Sequence, residues 1–337
     1  MGYTHATLNE LAASGAEVCV VSWDLNRLSP IAFDKSNSVT FIEKSVFSLR
    51  ELVKFAENFN PDLTVVSGWQ DAWYLVAAFS LRRKSKIVVS GFDGQTSSSM
   101  RHQLGYLLGK LGVFRWFFSH AWVAGPRQFE FARKLGFSKR RIISDLYSCD
   151  TKIFCRTPNQ VSLSNKQGRS FVFVGRLENE KGLTILLSAW LEIQTLRRDW
   201  KLVIIGSGSL YSNISREKSI VLKNAMAPAE LAIELSSHDC FVLPSVFEPW
   251  GVVVHEAAAS GLPLLLSDEV GAGSTFLIQG MNGFSFEAGS VDALKSRMLE
   301  VMGLSDSQLE AMGRCSIELA RRINPATSAH NLLSLLR

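Results

Sequence analysis

The chain has 337 residues, 47% of them hydrophobic and 20% charged, and a formal net charge of +5. That length exceeds one ordinary core and suits two α/β domains, while no apolar run reaches the roughly 20 residues needed to span a bilayer. The moderate positive charge suits an anionic ligand or an anionic membrane face; it is too diffuse to indicate nucleic acid, and aromatic and basic residues do not alternate as in a nucleic-acid module.

Taken in chain order, a helix at 4–13 comes first, followed by strands near 17–22, 39–42, 63–67, 86–90, 121–124 and 141–144. A helix at 128–135 stops at Gly136. Residues 155–169, CRTPNQVSLSNKQGR, are polar and without period and read as a connection between domains. Strands follow near 170–174, 201–205, 220–222, 240–243, 263–267 and 283–286, then a helix at 292–302 with Asp292 in its first turn, and a last helix after Pro325. Short apolar runs alternating with helices predict parallel sheets covered by helices. The expected domains are 1–155, 156–322 and a terminal helix at 323–337. The five cysteines are scattered, fit neither a zinc site nor a disulfide framework, and predict a reducing, cytoplasmic setting; Cys19 and Cys240 read as small core residues within strands.

The most informative segment is 244–267, PSVFEPWGVVVHEAAASGLPLLLS. It sets Glu248 and Glu256 eight positions apart around a short helix at 252–259, bounded by a Pro-Trp-Gly turn and a Ser-Gly-Leu-Pro break. Eight residues are a little over two turns, so Glu256 is expected on roughly the face below Glu248. The amides of Gly251, Val252 and Val253 are left free at the helix start, where they favour an anion. Carboxylates beside an anion site suit a ligand whose hydroxyls donate to them. A nucleotide sugar has both the phosphate and the hydroxyls.

Four further landmarks accompany it in order: SFVFVGRLENEKG at 170–182, KLVIIGSGS at 201–209, DCFVLPS at 239–245 and GMNGFSFEAG at 280–289. Together the five segments resemble the retaining glycosyltransferases of the GT-B fold, family 4 (glycosyl transferases group 1), closely in the second half and loosely in the first. The resemblance implies two doubly wound, Rossmann-like domains facing a cleft. The first would bind an acceptor and the second a nucleoside diphosphate sugar, and the terminal helix would cross back to the first. The implied activity is transfer of the sugar to an acceptor hydroxyl with retention, in surface polysaccharide or glycan assembly. No cofactor or metal is implied.

By the same resemblance Gly175, Arg176 and Lys181 meet the diphosphate. Glu248 contacts the transferred sugar or its phosphates, Glu256 holds the ribose hydroxyls, and Gly251 and Val252 present amides. Taken alone, Arg176 and Lys181 among Glu178 and Glu180 read as solvated charges; the neighbouring landmarks favour phosphate binding. Met226 falls where the family contacts the base, although Asn224 stands at the expected glycine. His255 reads as structural. The histidine that many relatives carry after the fourth strand is absent from IVVSGFDG at 87–94. Asp93 is the nearest polar candidate there, against the reading of an ordinary Asp-Gly turn, and Asp71 a weaker one.

The family also opens with a strand that this sequence lacks before its first helix. Loss of a central parallel strand should destabilise the first domain, and the expectation is a shortened form of a longer protein. Residues 99–118, SMRHQLGYLLGKLGVFRWFF, suit either an interfacial helix meeting a lipid-linked acceptor at the inner face of a membrane or a core-facing helix with basic solvent positions. The second is favoured, because Leu, Phe and Trp occur on more than one side. No Asp-x-Asp metal motif, phosphate-loop signature or nucleophile elbow occurs, and Gly206-Ser-Gly208 is only half of a dinucleotide fingerprint. Two rivals remain open: a catalytically inactive or truncated nucleotide-sugar-binding protein, and a nucleotide-sugar epimerase.

Overall fold

The computed structural model describes residues 2–23, 39–96, 100–157, 169–196, 199–214 and 217–337. Most of the expected connection at 155–169 therefore lies outside the described residues. The chain divides into two compact units, Met1–Ser148 with Pro325–Arg337, and Cys149–Asn324.

The first unit contains α1 (Gly2–Ala13), β1 (Val18–Ser22), β2 (Val39–Glu43), α2 (Leu49–Phe59), β3 (Leu63–Ser67), α3 (Ala72–Arg83) and β4 (Ile87–Phe92). It continues through α4 (Met100–Lys110), α5 (Phe114–Phe117), β5 (His120–Val123), α6 (Pro126–Lys134) and β6 (Ile142–Ile143). The second contains α7 (Thr151–Phe154), β7 (Arg169–Val174), α8 (Leu183–Glu192), β8 (Trp200–Ile205), β9 (Ile220–Lys223), α9 (Pro228–Leu235) and β10 (Cys240–Leu243). Then come α10 (Val252–Ala259), β11 (Leu264–Ser267), α11 (Gly273–Phe276), β12 (Gly283–Phe286), α12 (Val291–Met302) and α13 (Asp306–Ala320). The last helix, α14 (Pro325–Leu333), returns to the first unit.

The second unit is one parallel sheet in the order β12-β11-β10-β7-β8-β9. Its strands β10 and β11 are apolar except for Ser267, and every one of their residues is buried, as strands covered on both faces require. Phe171 of β7 lies edge-on to Trp190 of α8 at 6.2 Å and against Trp200 at 4.6 Å, which ties a covering helix to the sheet. Helix starts follow local chemistry: the Ser290 side chain accepts from Ala293 N, and Ser305 with Gln308 forms a capping box.

The first unit is parallel as well, but its strands form two sheets, β1-β2 and β3-β4-β5-β6. Among the described residues no strand joins β1 to β3. The consequence shows in burial: no residue of β1 is fully buried and Val65 of β3 is exposed, unlike the covered strands of the second unit. Cys19 is accordingly half-buried, whereas Cys240 is fully enclosed in β10.

Segment 99–118 meets the favoured expectation in part: Phe114 and Phe118 are buried in the core, Tyr106, Leu108 and Phe117 pack against it, and Lys110 and Arg115 are exposed. The apolar residues Met100, Leu104, Leu107 and Leu111 are exposed, while the face of α4 that meets the core carries Gly105 and Gly109. A β-carbon on Gly105 would fall 2.1 Å from the Trp69 ring, and one on Gly109 would fall 2.6 Å from the Leu135 backbone. The helix thus makes its closest approach to the core through Gly105 and Gly109, with Tyr106 and Leu108 packed beside them, and Met100, Leu104, Leu107 and Leu111 are left outward.

Helix α14 secures the first unit. Ala329 and Leu332 pack in one buried cluster with Leu11 of α1, Val89 of β4 and Trp122 of β5. Asn331 Nδ2 donates to Asp145 Oδ2 at 2.9 Å. Replacing Leu332 by Ala should therefore lower the stability of the first unit by about 2–5 kcal/mol, the usual cost of a buried Leu→Ala change. Urea unfolding followed by circular dichroism would check it; a change within error would remove α14 from the core.

Candidate functional site

In the second sheet β7, β8 and β9 succeed one another to one side and β10, β11 and β12 to the other. The order therefore reverses between β7 and β10, and open α/β sheets bind ligands beyond the carboxyl ends of their strands at such a point. The loops leaving these two strands, 175–182 and 244–251, are the walls of that crevice. Backbone holds them together: Val246 N donates to Glu180 O at 2.9 Å, and Gly182 sits at φ +68° so close that a β-carbon would lie 2.0 Å from the Pro244 oxygen. The loop leaving β8 joins them, because Ser209 donates from N and Oγ to the Glu178 carboxylate at 2.9 and 2.6 Å. These bonds hold the Glu178 carboxyl below its ordinary pKa.

On this frame Lys181 Nζ is ion-paired with Glu248 Oε2, both side chains largely covered. Gly271 N donates to Glu248 O at 2.9 Å, and Ala272 N donates to Trp250 O at 2.8 Å, which fixes the backbone on both sides of Pro249. Arg176 is exposed and paired with Glu180 at 2.8 Å. Gly251 is the N-cap of α10 and has no side chain to offer its first turn. The N-cap therefore supplies no side-chain oxygen to the amides at Val252 and Val253. The crevice brings together a nearly dry ammonium–carboxylate pair, an exposed guanidinium and a helix start, a set suited to a ligand with an anionic group and hydroxyls.

Glu256 lies further along α10, with Glu248 in the loop before the helix rather than stacked on it. Desolvation pushes the Glu256 carboxyl up to about 7. Its neighbour His255 turns the other way and is fully buried. His255 Nδ1 accepts from Cys149 N at 3.0 Å, Nε2 lies 2.9 Å from Ala320 O, and the ring stacks on Phe276 at 4.3 Å. Burial lowers its pKa to about 4, so it is neutral with Nε2 carrying the proton, a structural histidine as expected.

The other sequence candidates belong to other elements. Met226 follows β9, at the edge of the sheet, and is half-buried; Asn224 beside it is exposed. Asp93 belongs to the first unit, exposed after β4, where its carboxylate accepts from Tyr147 OH at 3.3 Å. Asp71 caps α3 by accepting from Trp73 N and Tyr74 N, and it pairs with Lys44 at 2.5 Å. Its role is accounted for by the helix and that pair. The Glu178–Ser209 link and the Glu180 carbonyl escaped the sequence reading, because neither falls in a spacing that marks a contact between separate loops.

Comparison with known proteins bears on the fold. The structural neighbours are GT-B glycosyltransferases. A glycosyltransferase from Rickettsia africae superposes with a TM-score of 0.76 at 12% identity, over 99% of this chain and 94% of that one. Anabaena Alr3699/HepE, solved in complex with UDP and glucose, superposes with a TM-score of 0.73 at 16% identity, over 99% and 96%. Residues 157–316 match the family described as Glycosyl transferases group 1. That match lies within the second unit and covers most of it. Among curated relatives, D-inositol 3-phosphate glycosyltransferase of Segniliparus rotundus is 27% identical over 49% of this chain and 39% of its own length. Glycogen synthase of Mycobacterium tuberculosis is 33% identical over 39% of this chain and 33% of its own. The chain thus spans about two fifths or less of the length of these curated relatives.

The Glu256 carboxyl titrates near 7 when folded against an ordinary value of 4.5, so the folded chain binds its proton more tightly than the unfolded chain. Its contribution to stability should therefore fall as pH rises from about 4.5 to about 7 and then level off. The difference in thermal stability between the wild type and Glu256→Gln should widen across that window in favour of the variant. A difference independent of pH would show that Glu256 ionises normally.

Proposed function

We propose that the chain is a retaining, family 4 glycosyltransferase that moves a sugar from a nucleoside diphosphate sugar to an acceptor hydroxyl. The observation that carries this reading is the Lys181–Glu248 pair at the strand-order reversal, beside the uncapped start of α10. The family match over the second unit supports it, as does the fold shared with a protein solved with UDP and glucose. In this reading the diphosphate lies against the amides of Val252 and Val253. Lys181 and Arg176 meet the negative charge that grows on the leaving oxygen, where transition-state stabilisation is largest. The acceptor oxygen forms its bond to the anomeric carbon on the face from which the diphosphate departs, and its proton passes to that diphosphate. Glu248 accepts from sugar hydroxyls and Glu256 from the ribose, with Gly175 giving the backbone room and Met226 near the base. Asp93 is assigned to the acceptor side. The acceptor is a glycan or lipid-linked glycan of surface polysaccharide assembly, met in the cytoplasm or at the inner membrane face.

Arg176→Ala and Lys181→Ala should each weaken nucleoside diphosphate binding by about 1.5–3 kcal/mol, the worth of a hydrogen bond to a charged group, and leave nucleoside binding nearly unchanged. Titration calorimetry with both ligands distinguishes the cases, and an equal loss for nucleoside and diphosphate would overturn the phosphate assignment.

The reaction itself is tested by incubating the protein with a panel of nucleotide sugars and acceptors and resolving the product anomer by NMR. The expected product keeps the donor's anomeric configuration, with turnover unchanged by EDTA because protein cations meet the phosphate charge. Loss of turnover in EDTA and recovery with manganese would reverse the metal-independent assignment. Donor binding without product would favour an inactive binding protein, and sugar inversion without transfer would favour an epimerase.

A further inference from the structure

The outward face of α4 has no role in the donor site, and its composition inverts that of an ordinary surface helix. Positions 100, 104, 107 and 111 recur at the helical period and form one stripe on the side away from Gly105 and Gly109. Met100, Leu104, Leu107 and Leu111 are between 56% and 90% exposed, and Trp116 of α5 is 63% exposed. Large apolar residues scattered singly over a surface are ordinary, but four in one helical stripe, with an exposed indole a few residues beyond its end, are not. The strip is also electrically one-sided. From Gly94 to Phe129 the sequence has four basic residues, Arg101, Lys110, Arg115 and Arg127, and no Asp or Glu. Lys110 and Arg115 are exposed beside the stripe. Where α4 ends, a cavity of about 200 Å³ opens between Gly109, Gly112, Arg115, Ser138 and Arg141. Arg141 also depresses the pKa of Arg82 and of His120, after desolvation, so the positive potential continues past the cavity.

We infer that the exposed face of α4 and α5 docks on an anionic phospholipid bilayer, the Leu stripe and Trp116 entering the interface and Lys110 and Arg115 meeting phosphates. An apolar stripe bordered by cations, with an indole at its end, matches the chemistry of the headgroup–acyl boundary. A symmetric contact between two copies is disfavoured, because it would set the same unrelieved cations against each other. No described helix is long and apolar enough to cross a membrane, so this contact lies on the surface. It rests on the first unit alone and is independent of donor chemistry.

The test is sedimentation of the full chain with vesicles of phosphatidylcholine alone and with about a third phosphatidylglycerol, in low and in raised salt. The wild type should bind the anionic vesicles and release them as salt rises. Leu107→Asp and Leu111→Asp should each weaken binding about tenfold or more, from loss of the apolar insertion. Lys110→Gln and Arg115→Gln should each weaken it about fivefold and erode the preference for anionic lipid. These positions are exposed, and circular dichroism with donor thermal shift on each variant confirms that fold and nucleotide site persist. Wild type that ignores both vesicle types overturns the inference, as does a Leu107→Asp variant that binds like wild type. So does wild type that dimerises in solution through Leu107 without binding lipid. Vesicle binding by a protein that binds no donor would leave the inference standing and remove the proposed function instead.

Discussion

Lys181 and Glu248 stand 67 positions apart, and backbone brings them together. Gly182 turns against the Pro244 carbonyl with no room for a β-carbon, and the Glu180 carbonyl accepts from the loop opposite. A covered ion pair recovers little beyond the cost of drying its two charges, whereas each backbone hydrogen bond adds about 1 kcal/mol net. The magnitudes give the order of cause. The loops are set by the glycine contact and the main-chain bonds, and the ion pair follows from their placement. Charges held this way can change partners without unfolding the crevice, which a site that admits an anion beside Lys181 requires.

The second sheet was legible because its strands are short continuous apolar runs broken by glycine, and covered parallel strands are read from that signal. The site cations were legible for a related reason: Gly175, Arg176 and Lys181 directly follow such a run. What stayed hidden were the contacts between loops. Nothing in the sequence near Glu178 shows that Ser209, 31 positions later, donates to it twice. Glu248 lies in the loop before α10 and Glu256 on the helix, so an eight-position spacing does not by itself fix how the two are placed.

Helix α4 shows where periodicity runs out. Its sequence carries apolar residues on more than one side, and hydrophobicity alone makes the leucines the natural inward choice. Close packing decides otherwise: Trp69 and the Leu135 backbone lie so near the axis that only Gly105 and Gly109 fit between them. The inward face was thus chosen by space, a property of neighbours distant in sequence.

His255 and Glu256 carry the same point into electrostatics. They are adjacent, both are desolvated, and the same cause moves their pKa values in opposite directions, because burial penalises the cation of one and the anion of the other. His255 receives Cys149 N on one ring nitrogen and faces the Ala320 carbonyl with the other, so its neutral form is fully partnered and the shift leaves nothing unmet. Glu256 has the opposite balance. Near pH 7 a carboxyl titrating there is close to half ionised, and any group donating hydrogen bonds to it favours the ionised half. The residue that burial has made reluctant to ionise is therefore the one whose charge a hydroxyl-bearing ligand would restore, while its neighbour on the helix stays fixed in the core.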